Sequence, residues 1–468
     1  MTEIKPHDYQ LELVNNIARK IANNYKSILV QLATGGGKTV VMSYLIQRYL
    51  ARHISAKITI VVHRDELVTQ TQRTLFAFGI NHIKVQMVET FCNQIKKHGV
   101  SEYDLLIIDE CHVGNFKKVF DHYRDNNTII IGFTATPISA TKKHPLKTDY
   151  ETIVAGLAIK QLIERNNLTP CIHYAPKTGV DKKAMKKTAG EYNMASMAQE
   201  FSKPKLIDAV VHWYEKLCKS KKTIVFNTTI EHSILVHNCF KDHGYNSRFL
   251  DSKSSSAEER KETLSWFKNT PDAILNNVGI LTAGFDEPTI EAVIFNRSTK
   301  SLPLWLQCLG RGARTYSNKE FWLAIDLGDN IQGEGHGYWD QHHDWEQYFL
   351  HPDKSGEGAA PMKDCPECQA MIYMAATKCY VCGHEMPREI VYTDMMIELN
   401  IMPDKPIKKN SQPALEIAIE NTISKIKRLS LDPTEKKEMI SVALPKLYND
   451  AGWELRPYLL KHLIQKYA

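Results

Sequence analysis

The chain has 468 residues, 43% of them hydrophobic and 24% charged, with a formal net charge of +6, the make-up of an ordinary globular protein long enough for two to four domains. No apolar run approaches the roughly 18 residues a membrane helix needs, and the opening MTEIKPHDYQ has no signal-peptide core, so a cytoplasmic protein with no membrane partner is expected. Ten cysteines in that setting argue against a disulfide framework, and a charge of +6 permits an acidic partner without demanding one.

From the N-terminus, short β-branched runs alternate with longer helical patterns. SILVQ, KITIVV, IKVQMV, DLLII and TIIIG predict buried parallel strands, because a parallel sheet is covered on both faces and its strands read as unbroken apolar runs. The helices between them make a βαβ series. QLATGGGKT (31–39) follows the first strand and precedes the helical VVMSYLIQRYL, the context a phosphate-binding loop requires. Gly35, Gly36 and Gly37 let backbone N–H groups turn inward around phosphate oxygens. Lys38 would reach the outer phosphates and Thr39 would ligate Mg²⁺. The first glycine of the common form of this loop is replaced by Leu32.

In YDLLIIDECHVG (103–114), four apolar residues, Leu105 to Ile108, run into Asp109 and Glu110. Downstream of a phosphate loop, a strand ending in paired acids predicts an Mg²⁺ ligand, Asp109, followed by a water-orienting general base, Glu110. Adjacent strand residues point to opposite sides, so one can hold metal while the other faces water.

KTGVDKKAMKK (177–187) carries five lysines against one aspartate; it is read as a solvated linker, with a nucleic-acid contact as the alternative. A second α/β series begins near Pro204, with KTIVF, DAIL, EAVIF and FWLAI as strands. GEGHGYWDQHHDWEQYFLHPDKSGEG (333–358) reads as an irregular segment packed by Trp339 and Trp345. CPECQAMIYMAATKCYVCG (365–383) has the spacing C-x₂-C-x₁₀-C-x₂-C. Two such pairs let Cys365, Cys368, Cys379 and Cys382 meet one tetrahedral Zn²⁺, with His384 a possible substitute ligand. Four thiolates leave no open position for water, so the metal is expected to be structural. From about 410 to 468 the pattern is helical.

DECH (109–112) with the phosphate loop resembles a superfamily 2 helicase or translocase, and further stretches match that family in order. PHDYQ (6–10) resembles the motif whose glutamine reads adenine, which implies that role for Gln10. VVHRDELVTQ (61–70) and VET (88–90) resemble the motifs lying against the nucleic-acid backbone, which implies contacts from His63, Arg64 and Thr90. FTATP (133–137) resembles the motif that couples ATP state to strand contacts, through Thr134 and Thr136. TIVFNTTIEHS (223–233) adds Thr228 to the nucleic-acid contacts, and GILTAGFDEP (279–288) adds Thr282 to them and Gly284 and Asp286 to the nucleotide site, with Thr34 there as well. QCLGRGAR (307–314) resembles the motif in which Arg311 and Arg314 are arginine fingers and Gln307 faces the γ-phosphate. The spacing of three places both arginines on one helix face.

The resemblance implies two tandem RecA-like parallel-sheet domains, 1–170 and 204–345, joined by a linker, 171–203; the cysteine spacing adds a zinc ribbon, 346–390, and the helical pattern a C-terminal region, 391–468. ATP and Mg²⁺ follow from the resemblance and Zn²⁺ from the four cysteines as expected cofactors. The overall pattern resembles phage and bacterial branch-migration and repair helicases of the XPB, RecG and UvsW types, which implies an ATP-dependent DNA helicase or translocase on branched or forked DNA. A monomer is expected. The alternatives are an RNA helicase, the motor subunit of a restriction system, and a nucleic-acid-binding module with an inactive ATPase. Cys111 and His112, where DEAD-type RNA helicases carry alanine and aspartate, weigh against the RNA option, and intact Lys38, Glu110 and Arg311 weigh against the last.

Overall fold

Nine strands expected from apolar runs form where those runs lie, and they belong to two six-stranded sheets whose pairings are all parallel. The computed structural model describes residues 5–467 apart from 114–115, 125, 140–143, 189, 251–255, 280, 282–284, 333–334, 353–361, 374–375, 387–408, 410, 430, 454 and 456. The first sheet contains β1 (Ser27–Gln31), β2 (Ile58–Val62), β3 (Lys84–Met87), β4 (Leu105–Asp109), β5 (Ile129–Thr134) and β6 (Thr152–Ala155), in the order β3-β2-β4-β5-β1-β6. Of its inner strands, β2, β4 and β5 are buried along their whole length and β1 along all but Ser27, as helices on both faces require. Those helices are α1 (Asp8–Ala22), α2 (Lys38–Leu50), α3 (Asp65–Ala77), α4 (Val88–His98), α5 (Lys117–Tyr123) and the short α6 (Ile159–Glu164).

The stretch expected as a linker is folded. Its first residues form β7 (Cys171–Tyr174), which pairs with a strand of the second lobe. A small hairpin, β8 (Lys187–Thr188) with β9 (Glu191–Tyr192), and α7 (Met194–Phe201) then enclose a core of Met185, Tyr192, Met197 and Phe201. The second lobe continues through α8 (Pro204–Leu217), β10 (Thr223–Phe226), α9 (Ile230–Asp242), β11 (Ser247–Leu250), α10 (Ala257–Asn269), β12 (Ile274–Asn277), β13 (Ala292–Phe295), α11 (Leu302–Leu309) and β14 (Trp322–Asp326), with sheet order β11-β12-β10-β13-β14-β7. Helix α10 starts where a capping box predicts it: Ser256 Oγ accepts from Glu259 N and the Glu259 carboxylate accepts from Ser256 N, satisfying two otherwise orphaned donors.

Trp339 is fully buried and meets Trp322 edge to face at 5.3 Å. Trp345 opens α12 (Trp345–Leu350), which packs on β6 of the first lobe. The described part of the segment 333–358, residues 335–352, is thus packed by the two tryptophans expected. An antiparallel hairpin of β15 (Met362–Asp364) and β16 (Met371–Tyr373) carries the first cysteine pair and rests on β7, with Tyr373 edge-on to Tyr338 at 4.8 Å. Residues 385–468 form a separate unit. In it α13 (Gln412–Arg428), α14 (Pro433–Asp450) and α15 (Pro457–Tyr467) surround Ile419, Ile423, Ile426, Met439, Leu444 and Leu447. No described helix is long and apolar enough to cross a membrane.

Candidate active site in the cleft between the lobes

The phosphate loop runs from the end of β1 into α2. Gly37 caps α2 with φ +80°, a left-handed conformation only glycine adopts without strain, and a Cβ there would strike the Gln10 amide. The first turn of α2 carries no acidic residue, so its N–H groups and dipole stay open to an anion. Helix α1 clamps the loop: Tyr9 Oη donates to the Gly36 carbonyl at 2.9 Å and Gln10 Nε2 to the same carbonyl at 3.0 Å, while Gln10 Oε1 accepts from His7 N. Tyr9 lay within PHDYQ but only Gln10 stood out in sequence. Thr34 is buried and Thr39, in the first turn of α2, is half-buried.

Strand β4 delivers Asp109 and Glu110 to this loop, both buried. They do not diverge by strand alternation as expected. β4 ends at Asp109, and Glu110 turns into the left-handed region at φ +50°, its N–H donating to Asp109 Oδ1 at 2.9 Å. A non-glycine residue there carries strain that surrounding contacts must hold. The contact that holds it is Lys38, whose Nζ lies 3.0 Å from Glu110 Oε1. Burial, then the adjacent Glu110 charge, push Asp109 up to about 7. Burial also pushes Glu110 up, but Lys38 outweighs it and holds that carboxylate ionised, with His63 adding a smaller pull. His63 thus sits within electrostatic reach of Glu110 as well as on the motif expected to face nucleic acid.

The second lobe reaches this site through α11. Gln307 Nε2 donates to His112 Nε2 at 3.1 Å. The imidazole proton is therefore on Nδ1, which donates to Thr134 Oγ1 at 2.9 Å and lies 3.4 Å from Glu110 Oε2. Thr134 closes the set: its hydroxyl donates to the Thr136 carbonyl at 2.9 Å and accepts from Thr136 N at 3.0 Å. One hydroxyl has one donor and two acceptor sites, and all three are used. Burial pushes His112 down, in keeping with a neutral ring. The chain Gln307–His112–Thr134–Thr136 joins the lobes, and His112, quoted within DECH but given no role from sequence, is its centre. Removing the Gln307 amide by Gln307→Ala leaves His112 Nε2 buried without its donor, at a cost of ~1–3 kcal/mol. Nucleic-acid-stimulated ATPase is expected to fall by about tenfold or more while ATP binding changes little, checked by phosphate release and by nucleotide titration.

Arg311 and Arg314 lie on the turn after α11, not on a helix face. The helix stops at Leu309 because the chain must pass under Trp322: a Cβ on Gly312 would overlap that ring. The turn seats the arginines on the 285–286 segment, where Arg311 donates to the Phe285 carbonyl at 2.5 Å and Arg314 pairs with Asp286 at 3.0 Å. Asp286, expected at the nucleotide, orients the guanidinium of Arg314, which reaches the phosphate loop. Across the cleft, a Cβ on Gly310 would touch Thr34 at 3.0 Å, and one on Gly35 would lie 3.5 Å from the Arg314 guanidinium. Burial and then Arg314 push Arg311 down to about 10, opposed by Glu110. Both arginines therefore stand at the phosphate loop and acid pair.

Of the residues expected on nucleic acid, Thr90 is exposed in the first turn of α4, and Arg64 donates to the Gly279 carbonyl of the other lobe at 3.3 Å. Thr228 is fully buried, its hydroxyl 2.8 Å from His232 Nδ1, and offers nothing to a strand. Thr282 and Gly284 lie outside the described residues.

The four cysteines converge as spaced. Their Sγ atoms lie within 4.8 Å of one another, with Cys365–Cys382 and Cys368–Cys379 each 3.7 Å apart. A tetrahedron of Zn–S bonds of about 2.3 Å has edges of about 3.8 Å, so the set fits zinc. For ATP with Mg²⁺, a loop without room for a side chain, an open helix N-terminus, the Lys38 ammonium and the adjacent Asp109 form a fitting cradle.

Two parallel-sheet lobes that share one phosphate loop, with arginines supplied across the cleft, define a nucleotide-hydrolysing P-loop motor. A family model described as "Type III restriction enzyme, res subunit" matches residues 3–97 and 79–139, and one described as "Helicase conserved C-terminal domain" matches 203–316. The chain belongs to the superfamily 2 helicase family. A 51.5 kDa protein of a Lactococcus phage is 28% identical over 80% of this chain and 81% of its own length. IRC3 of Saccharomyces cerevisiae, described as an ATP-dependent helicase, is 30% identical over 68% of this chain, which spans only 51% of it. The restriction-modification enzyme LlaBIII, solved bound to DNA, shares the fold with a TM-score of 0.52 at 18% identity, over 74% of this chain and 29% of that one.

Proposed function

We propose that the chain is an ATP-dependent DNA helicase or translocase that remodels branched DNA such as forks and junctions. The observation that carries it is the division of the hydrolytic machinery between lobes: Lys38, Asp109 and Glu110 on one, Gln307, Arg311 and Arg314 on the other, joined through His112. Such a site turns over only when the lobes close, which ties each ATP to a movement. Here Gln10 sets the adenine end, Thr39 and Asp109 would hold Mg²⁺, Glu110 orients water, and the arginines balance charge developing on the γ-phosphate. The metal, when bound, would supply charge neutralisation to the phosphates. Thr134 and Thr136 carry the coupling, and His63, Arg64 and Thr90 line the path of the DNA. The test is ATP-dependent unwinding of a fork, a four-way junction, a tailed duplex and an RNA duplex. Preference for the first two supports this reading, and equal or better use of RNA overturns it.

A restriction-system motor is the second reading, favoured by the res-subunit match and the likeness to LlaBIII. Movement along intact duplex without strand separation, measured by triplex displacement, would establish it.

The cysteine cluster is read as a structural zinc site. Cys379→Ser removes one of four thiolates, and since metal binding and folding of such a knuckle are one event, zinc is expected to be lost. Basal ATPase should survive, because every nucleotide-site residue lies elsewhere, while unwinding of branched DNA weakens. Zinc content, basal ATPase and junction unwinding on one preparation check this; full zinc in the variant would refute the site.

A further inference from the structure

Residues 176–203 are folded onto the second lobe at one particular place. Thr178 Oγ1 donates to the Leu327 carbonyl at 3.1 Å, Lys182 pairs with Asp329 at 2.9 Å, and the Glu191 carboxylate accepts from Thr299 Oγ1 and Lys300 N. Residues 299–300 and 327–329 follow β13 and β14, so the module sits at the carboxyl ends of the parallel strands, where ligands bind in open α/β sheets. It also covers the strand end after β10: Phe201 packs on His232 at 6.0 Å, the same histidine that holds buried Thr228. The surface on which Thr228 was expected to meet a nucleic-acid strand is thus occupied by the module.

The module's own charges are sorted. Two of its three acids are tied up: Glu200 is buried, accepts from Asp181 N and pairs with Lys203, and Glu191 is spent on residues 299–300, while exposed Asp181 accepts only from Lys183 N. Two lysines are neutralised or opposed, Lys182 by Asp329 and Lys177 by nearby Asp364. Lys183, Lys186 and Lys187 are exposed and, among the described residues, have no carboxylate partner. Lys187 Nζ stands 6.0 Å over the Tyr192 ring, with Lys300 Nζ at the same distance. Solvated charge runs normally mix signs; here Glu191 and Glu200 are withdrawn into hydrogen bonds and Asp181 alone faces the exposed lysines.

We propose that this module is a DNA-backbone contact, in which Lys183, Lys186 and Lys187 bind phosphates in place of the buried Thr228. The inference rests on the proposed DNA-tracking function and names where the second lobe grips. Backbone contacts position a protein without reading sequence, as a motor needs.

The test is duplex DNA binding by the full chain from 50 to 200 mM salt, for wild type and for Lys183→Gln/Lys186→Gln/Lys187→Gln. Each phosphate contact contributes about 0.9 to the slope of log K against log salt, so the variant's slope should flatten by about 2–3. Its basal ATPase should be unchanged, since none of the three lies at the nucleotide. The triple Lys→Arg variant should restore the slope, because a phosphate contact needs charge rather than lysine. A glutamine variant with the wild-type slope, or an arginine variant that fails to restore it, overturns the module and leaves the helicase reading standing. Wild-type protein without salt-sensitive duplex binding overturns both.

Discussion

Arg311→Ala is expected to slow nucleic-acid-stimulated ATP turnover by about 10³–10⁵-fold, the range for loss of an arginine finger. Arg311 is buried, fixed by the Phe285 carbonyl, and feels the Glu110 carboxylate across the cleft. Its pairing partner is on its own lobe, so ATP binding to the first lobe should change by no more than a few-fold. Single-turnover phosphate release and nucleotide affinity, measured together, check this. Since a buried arginine also supports packing, Arg311→Lys serves as companion: it keeps a cation and most of the volume but loses the planar fork, and should remain strongly impaired. A loss below tenfold in the alanine variant would remove Arg311 from the chemistry and leave Arg314 as the candidate.

Lys38→Ala is expected to cost at least 10²–10³ in turnover, the loss usual for one pre-organised charge stabiliser. It should also destabilise the fold in a pH-dependent way. Lys38 holds Glu110 ionised at 3.0 Å, with both side chains nearly buried. With the ammonium present, Glu110 has a depressed folded pKa and its contribution to stability is held at neutral pH, lost only as pH falls through that value. Without it, burial dominates both Glu110 and Asp109 and raises them, and the sign inverts: the variant is penalised at neutral pH and relieved as the pair takes up protons. Removing one partner of a buried pair costs up to about 3–5 kcal/mol. The melting temperature of Lys38→Ala should therefore fall more at pH 8 than at pH 5. Adding Glu110→Gln should recover stability without recovering turnover. Equal destabilisation at both pH values would mean that the pair does not control the charge of Glu110.

Much of the fold was legible because the central strands are buried end to end. ITIVV, LLIID and AVIF could only be covered strands. The strands that sequence reading passed over are at or near sheet edges. CIHY alternates buried and half-buried residues, and SRFL has a half-exposed middle, so neither makes an apolar run. β6 is short and ends the first sheet. The site divides in the same way. Residues that a loop or strand end must present, Lys38, Asp109, Glu110 and the four cysteines, were fixed by local spacing. What depended on partners far along the chain was not: the left-handed turn at Glu110, the burial of Thr228 beneath a module read as linker, the pairing of Arg314 with Asp286, and the tautomer that Gln307 imposes on His112.

The position of β7 bears on how the chain is made. Emerging from the ribosome, the first lobe can close once residue 155 is out, since all six of its strands precede it. β7 follows at once, yet among the described residues its sheet partner is β14, about 150 residues later. At ~5–20 residues per second, that strand waits about 8–30 s with its ladder unpaired beside a finished domain. Its alternating, half-polar sequence suits that interval, because an apolar strand left open for so long would invite pairing with neighbouring nascent chains.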